Sequence, residues 1–414
     1  MHIAIVGPIA TADIAHLLDD DIMFLPQGYA GAPLLSSLMR ELLQRGHVVS
    51  AFTLSNDMPL IANGVKVAKG QRFNMHYCPM RPRAWQMNGR LVGRIVDLYK
   101  FERQALQNAI LSQCPDVIHA HWAYEFASAA LATGLPHVVT CHDSPFAIAR
   151  LYSTSKPTIS AYRWLRAFMA KKVLRSACQV TAVSPYMRDQ VQGITHAKIV
   201  VVPNPVDAKT LELARVRKSP QSPQIAMVCN GWDARKNPKP GLIAFKLLQK
   251  NYPSAELHLY GSAFQLGQAA QTWCEANGID RGLHFHGCVS HHTLLQKLSR
   301  HDVLLHTSLE ESFGMVIAEA MAMGLPVVAG QSSGAVPWVV GNCGFLCNVL
   351  KPQDIYQALL NILMPAHYKH FSEQGSISIN ERFSTLVVVD SFFRFYEQAI
   401  LDATTSRPAT KGIA

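Results

Sequence analysis

A chain of 414 residues is long enough for two or three domains with substantial cores, and a composition of 49% hydrophobic and 16% charged residues excludes a disordered or fibrous protein. Nine cysteines, odd in number and scattered apart from Cys343 and Cys347, argue for reduced thiols and against a disulfide framework. The net charge of +10 is uneven, since residues 1–205 carry 20 Lys/Arg against 12 Asp/Glu and the remainder 18 against 16, so the basic surface belongs to the first half.

The N-terminal "HIAIVGPI" reads as a buried strand. It lacks the basic flank and cleavage site of a secretory signal, and no apolar run of about 18 residues follows anywhere, which gives the expectation of a cytosolic protein. "LDDDIM" next offers Asp19, Asp20 and Asp21, but this triplet lies in a loop before the first long helix, and hard cations need several convergent oxygens, so no metal is expected there. The stretch "GYAGAPLLSSLMRELLQRGHVVSAFT" places Gly28 and Gly31 before an amphipathic segment at 34–45 and a second strand. Further strands are "DVIHAHW", "HVVTCHD", "QVTAVSP" and "KIVVVPN", with an amphipathic segment at 90–113. His119 and His121 share one strand, and His142 ends the next.

Between Asp143 and Asp189 no acid occurs, while Arg150, Lys156, Arg163, Arg166, Lys171, Lys172 and Arg175 are interleaved with Tyr162, Trp164, Leu165 and Phe168. Two readings stand open: contact with anionic lipid headgroups or a lipid-linked acceptor, or a solvated helix face whose aromatics are core. Nucleic acid is disfavoured, because no binding motif accompanies the charge.

The Pro- and Ser-rich "PNPVDAKTLELARVRKSPQSPQ" reads as a linker. After it the alternation of strand and helix repeats, with "QIAMVCNGW", "ELHLYGS", "LHFHG", "DVLLHTS", "LPVVAG" and "GFLC" as strands and amphipathic segments at 241–251 and 353–363. Two doubly wound parallel sheets are therefore expected, and such sheets bind ligands outside the carboxyl ends of their strands. "HFHGCVSHH" supplies His284, His286, Cys288, His291 and His292 but meets no fixed zinc spacing. The tail at about 380–403 has a helical apolar period and is expected to pack across both domains.

In "LEESFGMVIAEAMAMG" Glu311 falls in a loop and Glu319 about one turn inside a helix that Gly324 and Pro326 stop. The helix start, with the amides of Phe313, Gly314, Met315 and Val316, suits an anion, and glycine there lets a ligand approach the backbone. Carboxylates beside it suit a polyhydroxylated ligand carrying phosphate. Spacing alone leaves open that Glu319 is exposed and Glu311 merely caps the helix.

"EESFGMVIAEAMAMGLPVVAG" resembles the E-x7-E segment of the retaining, sugar-nucleotide-dependent glycosyltransferases of GT-B fold, the large group 1 family, with Ser312 where that family usually has Gly. The resemblance implies that Glu311 faces the donor hexose and Glu319 the ribose hydroxyls, with backbone amides from Phe313 to Val316 contacting sugar and phosphate. "CNGWDARKNPKPGLIAF" is similar to the family's phosphate clamp, which places Lys236 near the lysine position; Trp232 occupies the usual arginine site, and the guanidinium role passes to Arg235. Two cations there would neutralise a departing diphosphate. The loop with Gly28 and Gly31 resembles the first-domain Gly-rich loop that approaches the donor phosphate or acceptor. The Thr-x-His at 140–142 resembles a strand end whose histidine, His142 here, reaches the donor sugar. "F-x-G-x-V" at 285–289 resembles the nucleotide-base strand and implicates Val289.

The resemblance thus implies a GT-B fold of two Rossmann-like domains facing a cleft: an acceptor-binding domain at 1–205 completed by a C-terminal helix at 381–403, and a donor-binding domain at 206–380. It implies a retaining, metal-independent hexosyltransferase with no cofactor. The donor would be a nucleotide-diphosphate sugar and the acceptor a saccharide or lipid-linked hydroxyl, in the cytosol or on the cytoplasmic face of the inner membrane, in the assembly of capsule, exopolysaccharide or lipopolysaccharide. The competing readings are a sugar-nucleotide epimerase or an inactive sugar-nucleotide-binding protein of the same fold. A dehydrogenase is disfavoured because the dinucleotide fingerprint G-x-G-x-x-G is absent.

Overall fold

The computed structural model describes residues 1–61, 64–82, 93–153, 156–215 and 217–405. They form two compact units, Met1–Pro203 with the segment from Val388 onward, and Asn204–Val387.

The first unit is built on β1 (His2–Val6), β2 (Val48–Ser55), β3 (Lys66–Gly70), β4 (Phe73–Pro79), β5 (Val117–His121), β6 (His137–Cys141), β7 (Gln179–Ala182) and β8 (Val200–Val201), in the order β3-β4-β2-β1-β5-β6-β7-β8. Neighbouring strands are parallel except β3, which runs antiparallel to β4. The central strands are covered on both faces, so they read as continuous Val/Ile/Ala runs. β3 lies at the edge with only Ala68 buried, and Lys66 and Lys69 face outward where they discourage pairing with another chain. Its hairpin to β4 turns at 71–72 and has no Val/Ile run, which is why the sequence pattern of parallel strands passes over it.

The expected helix at 34–45 is Leu34–Gln44, which buries Leu35, Leu38, Met39 and Leu42 at the spacing of one helical face. The segment expected at 90–113 forms a helix only over Lys100–Gln113, and residues 90–92 lie outside the described residues.

The second unit is a six-stranded, wholly parallel sheet of β9 (Gln224–Val228), β10 (Glu256–Tyr260), β11 (Leu283–Gly287), β12 (Val303–His306), β13 (Val327–Gly330) and β14 (Phe345–Cys347), ordered β11-β10-β9-β12-β13-β14. Its strands are those the sequence pattern marks. Each unit has a core of its own, one around Leu257, Leu259, Leu305 and Phe245, the other around Ile3, Ile5, Val49 and Val138.

The tail is two helices where one was expected. Pro365–Phe383 belongs to the second unit, Ser384 breaks the run by bridging Val206, and Thr385–Thr405 follows. Val388, Val389, Phe392 and Tyr396 of the last helix are buried in the core of the first unit, so the C-terminal segment returns to complete it.

All nine cysteines are free thiols, and no helix among the described residues is long and apolar enough to cross a membrane.

Candidate functional site

In the second unit, the loops that follow four strands are knitted together by polar contacts. Asn237 takes a left-handed backbone (φ 48°), and its side-chain amide donates to the carbonyls of Thr307 (3.2 Å) and Val349 (2.9 Å), tying the segment after β9 to those after β12 and β14. The amide of Leu309 donates to the Arg235 carbonyl (2.7 Å), and that of Ala335, after β13, to the Glu311 carbonyl (2.9 Å). This network sets Lys236 against Glu311, and the ammonium donates to Glu311 Oε1 at 2.6 Å.

His306, the last residue of β12, lies beneath the pair with Nε2 3.4 Å from the same oxygen. Burial alone would raise the Glu311 carboxyl, but the nearby His306 ring and the Lys236 ammonium outweigh it and hold the group well below the usual carboxylate range. Glu311 is therefore a fixed anion with oxygen lone pairs to offer hydroxyls. Arg235 lies alongside, its guanidinium 3.8 Å from Glu310.

The helix Met315–Ala322 begins at Gly314, which is left-handed (φ 94°, ψ 58°) and supplies no side-chain cap. Its carbonyl accepts from Ile317 (3.0 Å) and Ala318 (3.2 Å), so the helix starts there, and the amides ahead of those two are the ones an α-helix leaves without an internal partner. The helix ends in a Schellman arrangement in which Leu325 donates to Ala320 and Gly324 to Met321, both at 2.9 Å, with Gly324 left-handed. Phe313 turns its ring inward against Trp338 and Phe383, leaving only its backbone at the loop. Met315 and Val316 form the first turn.

Glu319 is not exposed, and Glu311 does not cap the helix. Glu319 is 6% exposed, and its Oε1 lies 2.7 Å from His291 Nε2. Val289 sits half-buried in the turn from β11 to the helix His291–Leu298, whose cap is Ser290. Trp232, where the family clamp has arginine, packs edge-on against Phe264 and Trp273 and carries the Lys239 ammonium 5.7 Å above its ring. Reasoning from sequence misses His306 and Asn237, and it names His291 only as a zinc candidate and not as the partner of Glu319. The Asn-Pro pair at 237–238 signals a turn before a helix, and His306 ends a strand immediately ahead of the glutamates, but neither pattern names a partner.

The sequence candidates of the first unit are arranged differently. His142, beyond the end of β6, is 7% exposed, places Nε2 2.9 Å from His121 Nδ1 and stacks on Trp122 at 4.1 Å. Trp122 holds φ 65° at the end of β5, a conformation that a non-glycine residue adopts only at a cost. His119 is wholly buried between Tyr396 Oη (2.8 Å) and Thr140 Oγ1 (2.7 Å). Burial, reinforced by His142, lowers its pKa to about 3, so it is a neutral core group.

Gly28 (φ 72°) bridges Ala10 and leaves no room for a side chain, since a Cβ would stand 2.3 Å from the Ile9 carbonyl. Gly31 (φ 144°) is open, with nothing within 4 Å of the same position. The acidic triplet is engaged in structure: Asp20 accepts from the Lys69 amide (2.7 Å) and Asp21 from that of Met23 (3.0 Å).

The basic aromatic stretch is largely the helix Pro157–Ser176. Arg166 turns inward, bonding Glu125 at 2.9 Å and lying 3.9 Å over the Tyr124 ring, so it leaves the basic surface. Leu165 and Phe168 stay exposed at 43% and 57%. They line a groove of about 530 Å³ with Leu98, Leu131, Arg103 and Lys172.

Two parallel α/β units of this kind, the last helix returning to the first, define the GT-B architecture, and the sequence agrees. Residues 34–210 match the family description "Glycosyltransferase Family 4" and residues 222–364 match "Glycosyl transferases group 1". The chain belongs to the group 1 glycosyltransferases of GT-B fold. Among curated relatives it is 26% identical over 257 residues to glycogen synthase of Mycobacterium tuberculosis, the match covering 58% of this chain and 58% of that protein. Among solved structures it resembles sucrose-phosphate synthase from Thermosynechococcus elongatus, with a TM-score of 0.73 and 17% identity over 97% of this chain and 100% of that one. The Anabaena protein HepE, solved in complex with UDP and glucose, gives a TM-score of 0.63 and 16% identity over 96% of this chain and 100% of that one.

Proposed function

We propose that this protein transfers a hexose from a nucleotide-diphosphate sugar to a hydroxyl of a saccharide or lipid-linked acceptor, with retention at the anomeric carbon. The observation that carries the reading is the Lys236–Glu311 contact of 2.6 Å beside Arg235 and the start of the helix Met315–Ala322. One compact region thereby offers a hydroxyl acceptor, two cations and partnerless helix amides, which are the groups that a hexose and a diphosphate require.

In this reading Asn204–Val387 holds the donor and the first unit the acceptor. Glu311 accepts from the hexose hydroxyls and Glu319 from the ribose, and Val289 lies against the base. As the bond from the anomeric carbon to the phosphate oxygen breaks, charge builds on the diphosphate. Lys236, Arg235 and the amides of residues 313–316 stabilise it, an effect worth several kcal/mol of barrier in such sites. The acceptor oxygen bonds to the same face of the anomeric carbon, and its proton passes to the released phosphate oxygen. The cations that meet the diphosphate are side chains, so transfer is expected to persist after chelation. His142 assists at the hexose, and Gly28 and Gly31 let their loop approach the ligands.

The groove lined by Leu165, Phe168 and Lys172 supports a lipid-linked acceptor at an anionic membrane surface, consistent with a role in cell-surface polysaccharide assembly. The family relatives and the HepE complex with UDP and glucose support the donor class.

The test is a screen of UDP-, GDP- and ADP-sugars by thermal shift, in which a bound donor raises the melting temperature by mass action, followed by transfer to candidate acceptors and assignment of the product anomer by NMR. Epimerised sugar nucleotide without acceptor, or an inverted product, would sink this reading.

A further inference from the structure

On the second sheet, at the end of the strands opposite to Glu311, residues of β10 and β11 converge. Glu256 and His258 are two apart on β10 and so share a face, while Leu257 and Leu259 between and beyond them fill the core on the other. His284 is the residue in register with His258 on the parallel neighbour β11. The three side chains thus meet by strand geometry and not by sequence spacing, which is why a search for zinc-like spacing in the sequence passes over them.

We propose that Glu256, His258 and His284 form a binding site for a divalent transition-metal ion of the zinc class. Glu256 Oε2 lies 3.3 Å from His284 Nε2 and 3.6 Å from His258 Nε2, and one donor atom from each residue falls within 4.8 Å of the other two. Zinc bonds nitrogen and oxygen at about 2.0–2.1 Å, which makes the edge of a tetrahedron about 3.3–3.4 Å, so the two carboxylate-to-imidazole distances already approach the spacing of ligands around one ion.

Two further features point to a ligand. Apart from the Glu256 carboxylate at 3.3 Å, which it meets without hydrogen-bond geometry, the buried His284 Nε2 has no hydrogen-bond partner among the described residues, although the side chain is 43% exposed and an ion could reach it. His258 Nδ1 lies 3.0 Å from His286 Nε2, the kind of outer hydrogen bond that fixes a metal-binding imidazole with its other nitrogen turned to the ion. His258 Nε2 is at present 2.6 Å from Gln224 Oε1, so binding releases that contact and leaves the Gln224 oxygen or water for a fourth position. The rings of His258 and His284 stack within 14° at 4.6 Å and must turn edge-on toward the ion, a side-chain movement that leaves the strand register unchanged.

Glu256 is the first residue of β10 and His284 the second of β11, at the amino ends of the strands, whereas ligands of such sheets sit beyond the carboxyl ends. The ion therefore clamps the sheet edge and takes no part in sugar transfer, and the inference stands independently of the proposed activity.

The experiment titrates the full chain, without affinity tag and after removal of metal, with cobalt(II) and then zinc. One equivalent of cobalt should give the intense visible bands of a four-coordinate ion, zinc should displace it, and zinc should raise the melting temperature. His258→Ala, His284→Ala and the near-isosteric Glu256→Gln should each weaken cobalt binding at least tenfold and remove the zinc-dependent thermal shift. His292→Ala, an exposed histidine bonded to Gln296 outside the cluster, should bind as the wild type does. Wild-type binding no tighter than that of Glu256→Gln and His284→Ala, with all chains folded by circular dichroism, would mean that Glu256 and His284 are an ion pair only and would overturn the proposal.

Discussion

At the carboxyl end of β12, Glu311 is held against Lys236 with both side chains about one-seventh exposed and both charged, whereas at β5 His119 and His121 are enclosed and neutral. Both groups are polar residues in or just after parallel strands, Glu311 in the loop beyond β12 and His119 and His121 within β5, and the sequence alone does not tell them apart. Their neighbours separate them. Glu311 has a cation and a histidine to sustain its charge, and its loop leads into a helix start. His119 has only a tyrosine and a threonine hydroxyl, which satisfy a neutral ring. A buried charge needs compensation and a buried neutral group needs only hydrogen bonds, so the first arrangement keeps a compensated charge at a loop and the second completes a core.

The largest effect that would break this contrast is on activity. Glu311→Gln and Lys236→Ala should each lower the rate of transfer by about 10²–10³-fold while leaving the far-ultraviolet circular dichroism unchanged. The double variant should be scarcely slower than the worse single one, because the two residues act as a unit. Full activity in either single variant would place the chemistry elsewhere.

Acid should act on the other cluster. Burial lowers the His119 pKa from an ordinary 6.5 to about 3, so the unfolded chain binds a proton that the folded chain refuses. The stability this neutrality permits is present above about pH 6.5 and is lost as pH falls toward 3. Each such group contributes up to about 1.4 kcal/mol per pH unit, and His76, lowered to about 4 by burial and by His2, adds to the same slope. Glu311 loses stability in the same direction but over a lower window, since its support is complete above the ordinary value of 4.5 and fades only below it. Urea unfolding between pH 6.5 and 4.5 should therefore flatten in His119→Gln and stay unchanged in Glu311→Gln. A slope insensitive to His119 would show that the ring is charged or reached by water.

Much of this arrangement is legible in the residues. The parallel strands announce themselves as Val/Ile runs because both faces are covered, and Gly314 and Gly324 mark the two ends of the helix that carries Glu319. What escapes is whatever depends on register or on partners distant in sequence. The β3–β4 hairpin alternates polar residues at an edge. His291 reaches Glu319 from 28 positions away, and Asn237 joins loops 70 and 112 positions apart. Arg166 sits among basic residues in the sequence yet faces inward to Glu125, which no local pattern reveals.

The smallest predicted effect separates two glycines that the sequence presents as one loop. In Gly28→Ala the new methyl would meet the Ile9 carbonyl at 2.3 Å in a left-handed backbone, and the bridge to Ala10 would have to open. The expected loss is about 1–3 kcal/mol, read as a lower midpoint of unfolding, with any fall in activity following from it. Gly31→Ala meets no atom within 4 Å, so only the backbone term remains, and the loss should be about 1 kcal/mol. If the open loop at Gly31 approaches a ligand, the methyl should appear as a raised KM at full folding. An unchanged KM alongside the same small stability loss would make Gly31 a turn residue and leave ligand contact to the charged loops of the second unit.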